Sequence, residues 1–223
     1  MKYHWYAVNW KNNFPNIAKA IKNNLYNDER TKGFVLEQTR HDMIKGIYYR
    51  KNTYDVISKD PHGNEIINNN IKYDAIKFCL SNSSTGVEII NPPRSSIFFF
   101  NELSYFSDFN VVIKKLNIDV LDLIHRIEST LTLLYITKIV LSDIHLSEGV
   151  TENLVISGKQ DVRKYLADLK QYNLKKIQIS YQNNNNIFKS EINSNGYIIS
   201  DDRDKEFVID IAREYLKETY TDR

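Results

Sequence analysis

From Tyr3 to Trp10 aromatic and polar residues alternate with the two-residue period of a half-buried strand. Phe14-Pro15-Asn16 then opens a helix reaching about Tyr26, because proline is tolerated in a first helical turn and Ile17, Ile21 and Leu25 recur on one face. Met43 to Arg50 and Tyr54 to Ser58 read as strands, and Asp60-Pro61-His62-Gly63-Asn64 is a turn in which Pro presets one dihedral and Gly accepts a positive one. Strands are predicted again over Ile71 to Leu80 and Val87 to Ile90, with a bulge near Asp74 to Ile76 where the apolar phase changes. The aromatic stretch Arg94 to Asp108 fits either a short buried helix or a loop.

In the second half the pattern predicts a strand over Asn110 to Leu116, a helix from Asp119 to about Leu134, and strands over Ile136 to Leu146 and Asn153 to Ser157. Val162, Tyr165, Leu166 and Leu169 then place a helix over Gln160 to Tyr172, followed by a strand from Leu174 to Tyr181. This order, β-α-β-β-α-β, is the split arrangement of a ferredoxin-like fold, with two helices on one face of a four-stranded antiparallel sheet. Ile187 to Ile192 and Tyr197 to Ser200 flank Asn195-Gly196, a type I′ hairpin signal, and Asp201 and Asp202 cap a last helix striped by Phe207, Val208, Ile211, Ala212 and Tyr215. The runs Asn68 to Asn70 and Asn183 to Asn186 read as polar loops. The expected fold is therefore α+β: an N-terminal subdomain over 1–108 and a ferredoxin-like C-terminal subdomain over 109–223 closing on a hairpin and a helix.

Composition narrows the class. A 42% hydrophobic content over 223 residues fits a globular chain, no apolar run approaches membrane-spanning length, and the N-terminus lacks signal-peptide character. One cysteine, Cys79, excludes an internal disulfide and points to a reducing compartment, so the expectation is a cytoplasmic protein without membrane contact. Cys79 lies in an apolar strand with no histidine close in sequence, which fits a small hydrophobe better than a nucleophile.

The overall charge of +2 is uninformative, but its distribution is not. Lys159 to Lys176 carries a local net charge of +4, while Asn117 to Glu152 carries −4. Arg163, Lys164, Lys170, Lys175 and Lys176 are the candidate nucleic-acid-binding residues, because cations off the apolar stripe of one helix and at the start of the next strand can meet one phosphate backbone. A second candidate cluster is Lys45, Arg50 and Lys51, with Arg40 and His41 nearby and Tyr48 and Tyr49 interleaved to stack on bases or fill the sheet.

Catalytic chemistry finds little support. Val140 to Leu146, V-L-S-D-I-H-L, resembles the first metal-binding strand of a metallophosphoesterase, and Asp143 and His145 would share a face. The G-D-x-x-D and G-N-H-[DE] motifs that complete such two-metal sites do not occur, and no histidine follows His145. Asp122, His125 and Ser129 share a helical face without a metal-site pattern, and no glycine-rich phosphate cradle exists. No cofactor or metal is expected, and no residue is assigned as catalytic.

The layout as a whole resembles RexA-type phage-exclusion proteins. The likeness is carried by His4-Trp5-Tyr6-Ala7-Val8 at the start and by Asn195-Gly196-Tyr197-Ile198 leading to Phe207 through Tyr215 at the end. The resemblance implies sequence-tolerant DNA binding by a dimeric sensor or regulator in bacterial or phage antiviral defence. Two other readings stand beside it: a metal-dependent phosphodiesterase or nuclease using Asp143 and His145, and a protein-binding subunit of a defence complex whose segment Phe98 to Phe106 packs on another subunit.

Overall fold

A computed structural model of the chain describes residues 1–11, 14–83, 85–131, 133–167, 169, 171–204 and 206–220. In chain order its elements are β1 (Lys2–Asn9), α1 (Phe14–Asn23), β2 (Lys32–Thr39), β3 (Met43–Lys59), β4 (Glu65–Ser81), β5 (Val87–Ile90), α2 (Ile97–Phe106), β6 (Val112–Lys115), α3 (Val120–Glu128), β7 (Leu134–Ser147), β8 (Val150–Ser157), β9 (Asn173–Asn183), β10 (Asn186–Asn193), β11 (Tyr197–Ser200) and α4 (Phe207–Tyr220). Strand accounts for 49% of the described residues and helix for 24%. The chain divides into two compact units, each drawn from separate stretches of sequence. One comprises Met1–Val8, Ser83–Asn91 and Ile113–Arg223, and the other Asn9–Asn82 and Pro92–Val112.

The first unit corrects the ferredoxin-like expectation. Its sheet runs β5-β1-β11-β10-β9-β7-β8, with every registered pair antiparallel, and β6 pairs with β1 rather than with β7, β8 or β9. The second helix of the split arrangement is not formed as expected: among the described residues of 160–172 the helical element is the 3-10 helix Arg163–Leu166. Its backbone N–H groups from Tyr165, Ala167 and Leu169 reach back three residues, and Val162 donates to the Ile136 carbonyl of β7. The apolar spacing that predicts a helix there buries only Val162 and Leu166 deeply. The connection from β8 to β9 carries this short turn and returns the chain to the far side of β7, so that β7 lies between β8 and β9 and the fold is predominantly antiparallel β.

One face of this sheet is closed by α3 and α4. Tyr3, Trp5, Ile136, Ile139, Ile177, Ile179, Ile192 and Ile198 meet Leu123, Ile124, Ile127, Val208, Ala212 and Leu216 in one buried cluster. Asp119 caps α3 as its sequence suggests, its carboxylate accepting from the Leu121 and Asp122 N–H groups. Within this apolar layer lies a charged knot: Arg213 on α4 donates two bonds to Glu88 on β5, at 2.7 and 2.9 Å, and further bonds to Glu206 and Asp210. Trp5 donates its indole N–H to the same Glu88. Burial alone would lower the Arg213 pKa, but the Glu88 carboxylate, with Glu206 and Asp210, raises it.

The second unit is a β2-β3-β4 meander with α1 and α2. Ile44, Tyr48, Ile76, Phe78 and Leu80 alternate onto one face and pack with Phe34 and Phe99, the rings of Phe78 and Phe99 lying 5.1 Å apart. Two expected strands, Met43 to Arg50 and Tyr54 to Ser58, are one 17-residue strand, and its pairing with β4 runs unbroken from Met43–Ser81 to Lys59–Glu65. The bulge expected at Asp74 to Ile76 is therefore not formed. The change of apolar phase there marks where the ribbon leaves the core: 53–59 and 65–73 are exposed on both faces.

Candidate nucleic-acid interface

The structure scatters the cations that sequence reading grouped. Arg163 is held bidentately by Glu128, at 2.6 and 2.9 Å, and by Asp161 at 2.9 Å, so three groups carrying a net negative charge replace one free guanidinium. Lys164 is exposed, its ammonium 5.2 Å from the Tyr165 ring. Lys170 lies outside the described residues. Lys175 approaches Asp143 on β7 at 3.9 Å, whereas Lys176 pairs with Glu191 on β10 at 2.9 Å, so these neighbours reach to opposite sides of β9. In the second unit, strand alternation puts Arg50 on the core side, over the Phe98 ring at 4.1 Å and bonded to Asp74, and puts Lys45 and Lys51 on the other side. Cys79, half-buried, stands opposite Lys45 on that side.

A different set of residues converges on the uncovered face of the first unit's sheet. On β9, Ile177, Ile179 and Tyr181 turn to the core, which leaves Lys176, Gln178 and Ser180 on the opposite face; on β10, Phe188, Ser190 and Ile192 do the same and leave Lys189, Glu191 and Asn193. A register shift between Ile136 and Lys138 re-phases β7, so that Lys138 stands opposite Gln178 and Val140 opposite Lys176, with Tyr135 opposite Ser180. Ile199 on β11 continues the row from Glu191. The resulting surface carries Lys138, Lys176 and Lys189 against the single carboxylate of Glu191, interspersed with amide and hydroxyl groups. Tyr135 is 42% exposed there, a ring free to meet a planar ligand.

The two-residue turn at Asn184-Asn185 sets this register. Both residues have positive φ, 47° and 62°, and Asn183 pairs directly with Asn186, so the asparagine run expected as a loop is a tight hairpin. At Asn195-Gly196, where a type I′ turn was expected, only Gly196 has positive φ, and a Cβ there would come within 2.9 Å of the Trp5 carbonyl. Beside it, His4 contacts the Asn195 carbonyl through Nε2 and the Tyr6 hydroxyl through Nδ1. Burial lowers the His4 pKa, and Lys115 adds to the effect. A neutral imidazole with its proton on Nε2 satisfies both contacts, donating to the carbonyl and accepting from the hydroxyl.

The metal-strand reading meets a different geometry. Asp143 has φ of 55° within a register shift between Leu141 and Ile144, so strand alternation no longer pairs it with His145. Its carboxylate accepts from Asn173 at 2.9 Å and Ser142 at 2.7 Å, which hold its pKa below the ordinary carboxylate range, with Lys175 and His145 contributing. Among the described residues no group of three or more His, Cys, Asp or Glu side chains is placed to hold a metal ion. Phe99, in the segment expected to meet another subunit, is fully buried in the second unit's core.

Neither a family profile nor a curated protein matches the sequence. No helix among the described residues is long and apolar enough to cross a membrane. Sequence reading missed the open face because its cations do not cluster along the chain. The usable signal is K-x-Q-x-S at 176–180 and K-x-E-x-N at 189–193, two polar alternations that antiparallel pairing brings together.

Proposed function

We propose that the protein binds nucleic acid without acting on it chemically, through the uncovered face of the β7-β9-β10 sheet. The observation that carries this reading is the convergence of Lys138, Lys176 and Lys189 on one open surface with Glu191 as the opposing charge. Ammonium groups there can neutralise phosphates and release counterions, which gives sequence-tolerant affinity. Gln178, Ser180 and Asn193 offer donors and acceptors to base edges, and Tyr135 offers a ring on which an unstacked base can lie. A flat sheet with these groups suits a single strand better than a duplex. Of the residues first proposed, Lys176 belongs to this surface, and Lys164 and Lys175 become peripheral. The RexA-type resemblance motivates DNA as the first ligand and a sensor or regulator role in antiviral defence as its setting.

Fluorescence polarisation at low salt tests the reading, with labelled single-stranded DNA, duplex DNA and single-stranded RNA. The chain binds at least one of them, and Lys138→Glu with Lys176→Glu and Lys189→Glu weakens binding by at least about tenfold and flattens the slope of log affinity against log salt by about 2. Absence of binding by the unaltered chain, or equal affinity of the triple variant, contradicts it.

A further inference from the structure

Where the β3-β4 ribbon leaves the core and runs outward as an exposed arm, one of its faces changes character abruptly. On the side that carries Tyr48 and Ile76 into the apolar core, the next opposed pairs are Arg50 with Asp74 and Asn52 with Lys72. Apolar burial gives way to charge at the point where α2 begins. Arg50, Lys72 and Asp74, with Arg94 and the first turn of α2, line a cavity of about 590 Å³, which is within the range of small-ligand sites. The residues that line it all belong to the second unit.

Cations outnumber carboxylates in this cavity. Among the described residues lining it Asp74 is the one acid, and it is already engaged. Its Oδ2 accepts from Arg50 and from Asn52, each at 2.7 Å, while its Oδ1 lies 3.9 Å from the Lys72 ammonium. The Arg50 bond, followed by that from Asn52, holds the Asp74 pKa below the ordinary carboxylate range, so the group is ionised near neutrality. Arg94 is exposed and has no ion pair among the described residues. Three cations therefore share one negative charge, and their mutual repulsion falls when an anion enters.

Arg50 is already positioned for such a ligand. Its guanidinium lies 4.1 Å from the centre of the Phe98 ring and is tied to Asp74, yet its Nε is buried without a hydrogen-bond partner. A buried donor left unmet costs free energy until an acceptor is supplied. The start of α2 acts in the same direction: Ser96 makes no side-chain cap bond and the first turn holds no acid, so no carboxylate of that turn offsets the positive end of the helix dipole.

The remaining wall says what the anion is attached to. Pro93 and Ile97, the latter 66% exposed, are apolar, and Asn101 follows Ile97 by one helical turn. A bare inorganic anion would use the cations and leave this wall wet. A nucleoside phosphate uses both, its phosphate oxygens meeting the two guanidinium groups and the ammonium while sugar and base cover Pro93 and Ile97, with the Asn101 amide free to bond a base edge.

We propose that this cavity binds a free nucleoside phosphate, with Arg50, Lys72 and Arg94 on the phosphate and Pro93, Ile97 and Asn101 against the nucleoside. None of the lysines on the open face of the first unit takes part, so the site is independent of nucleic-acid binding there.

Isothermal titration calorimetry on the full chain at low salt tests it with ADP, GDP, CDP and UDP, each beside its nucleoside and inorganic phosphate. At least one diphosphate binds with a Kd below about 1 mM, and its nucleoside and phosphate bind at least about tenfold more weakly. Lys72→Ala with Arg94→Ala, both at exposed positions, leaves far-ultraviolet circular dichroism unchanged and weakens the diphosphate by at least about tenfold. Lys138→Glu with Lys176→Glu and Lys189→Glu leaves that affinity within about twofold. No binding of any diphosphate, phosphate alone binding as tightly, or unaltered affinity in the Lys72 and Arg94 variant overturns the proposal. Loss of diphosphate binding in the open-face variant overturns it too, since the nucleotide would then sit on the other surface. Diphosphate bound by a chain that binds no oligonucleotide would remove the function proposed above and leave this site standing.

Discussion

Two surfaces of this protein lack a covering layer, and they differ in almost every respect. The open face of the β7-β9-β10 sheet belongs to strands whose other face is buried under helices, and it presents lysines, amides and a tyrosine. The β3-β4 arm has no buried face at all, carries isoleucines, and changes charge sign along its length. The first surface can remain wet indefinitely, since a sheet anchored on one side loses nothing by meeting water on the other. The second leaves apolar area exposed on a ribbon that nothing else stabilises. Being uncovered is thus no function by itself; what the covered side supplies decides whether an open face needs a partner or merely admits one.

The strongest way to break the comparison is to remove the anchor. Arg213→Met leaves the Glu88 carboxylate, 8% exposed, with the Trp5 N–H but without its cation, and should cost about 3 kcal/mol of unfolding free energy, read as a shifted urea midpoint at constant slope. Adding Glu88→Gln to Arg213→Met should recover part of that loss, because the unpaired charge is then gone. Next in size is the cap of α3. Asp119→Ala should destabilise by about 1 kcal/mol in the same assay, through loss of the bonds to Leu121 and Asp122. By contrast Ile57→Asp on the arm should alter the stability of the chain by no more than about 0.5 kcal/mol, since its side chain touches water already. An effect on the scale of Arg213→Met would mean the arm is part of a core.

A smaller effect sharpens the polar side. The His4 pKa is lowered by folding, so the unfolded chain binds the proton more readily and acid favours unfolding. This contribution is fully present above the ordinary value of 6.5 and is lost as the pH falls from there through the depressed folded value. Urea midpoints measured downward from pH 7 should therefore decline more for the unaltered chain than for His4→Gln, which has no proton to take up.

Legibility followed how local each determinant was. Tyr197 to Ser200 and the stripe from Phe207 to Tyr215 are set by short-range alternation and spacing, and formed as strand and helix where the pattern placed them. The helix starts at Phe207, however, so Asp201 and Asp202 lead into a short 3-10 turn instead of capping that helix. The strand Lys32–Thr39 escaped notice, since Gly33 and Glu37 interrupt its apolar run; Gly33 is needed because a Cβ there would come within 2.6 Å of the Tyr26 backbone. The helix expected over Gln160 to Tyr172 had helical spacing but lost it to tertiary bonds: Asp161 caps Arg163 and accepts its guanidinium, which also reaches across to Glu128. Those bonds explain as well why the most basic stretch of sequence is not the most available cationic surface. Linear charge density ignores carboxylates brought in from elsewhere, and Glu128 and Glu191 lie 35 and 15 residues from the cations they meet. The open face became visible only through register, which depends on a hairpin at Asn184-Asn185 and a shift in β7.

The most direct test of the central claim is an amide hydrogen-exchange footprint of the chain with and without a saturating single-stranded oligonucleotide. Slowed exchange confined to peptides from β7, β9 and β10, with no change over the Arg163–Leu166 turn, is the predicted result; protection centred on that turn, or none in the three strands, would contradict it.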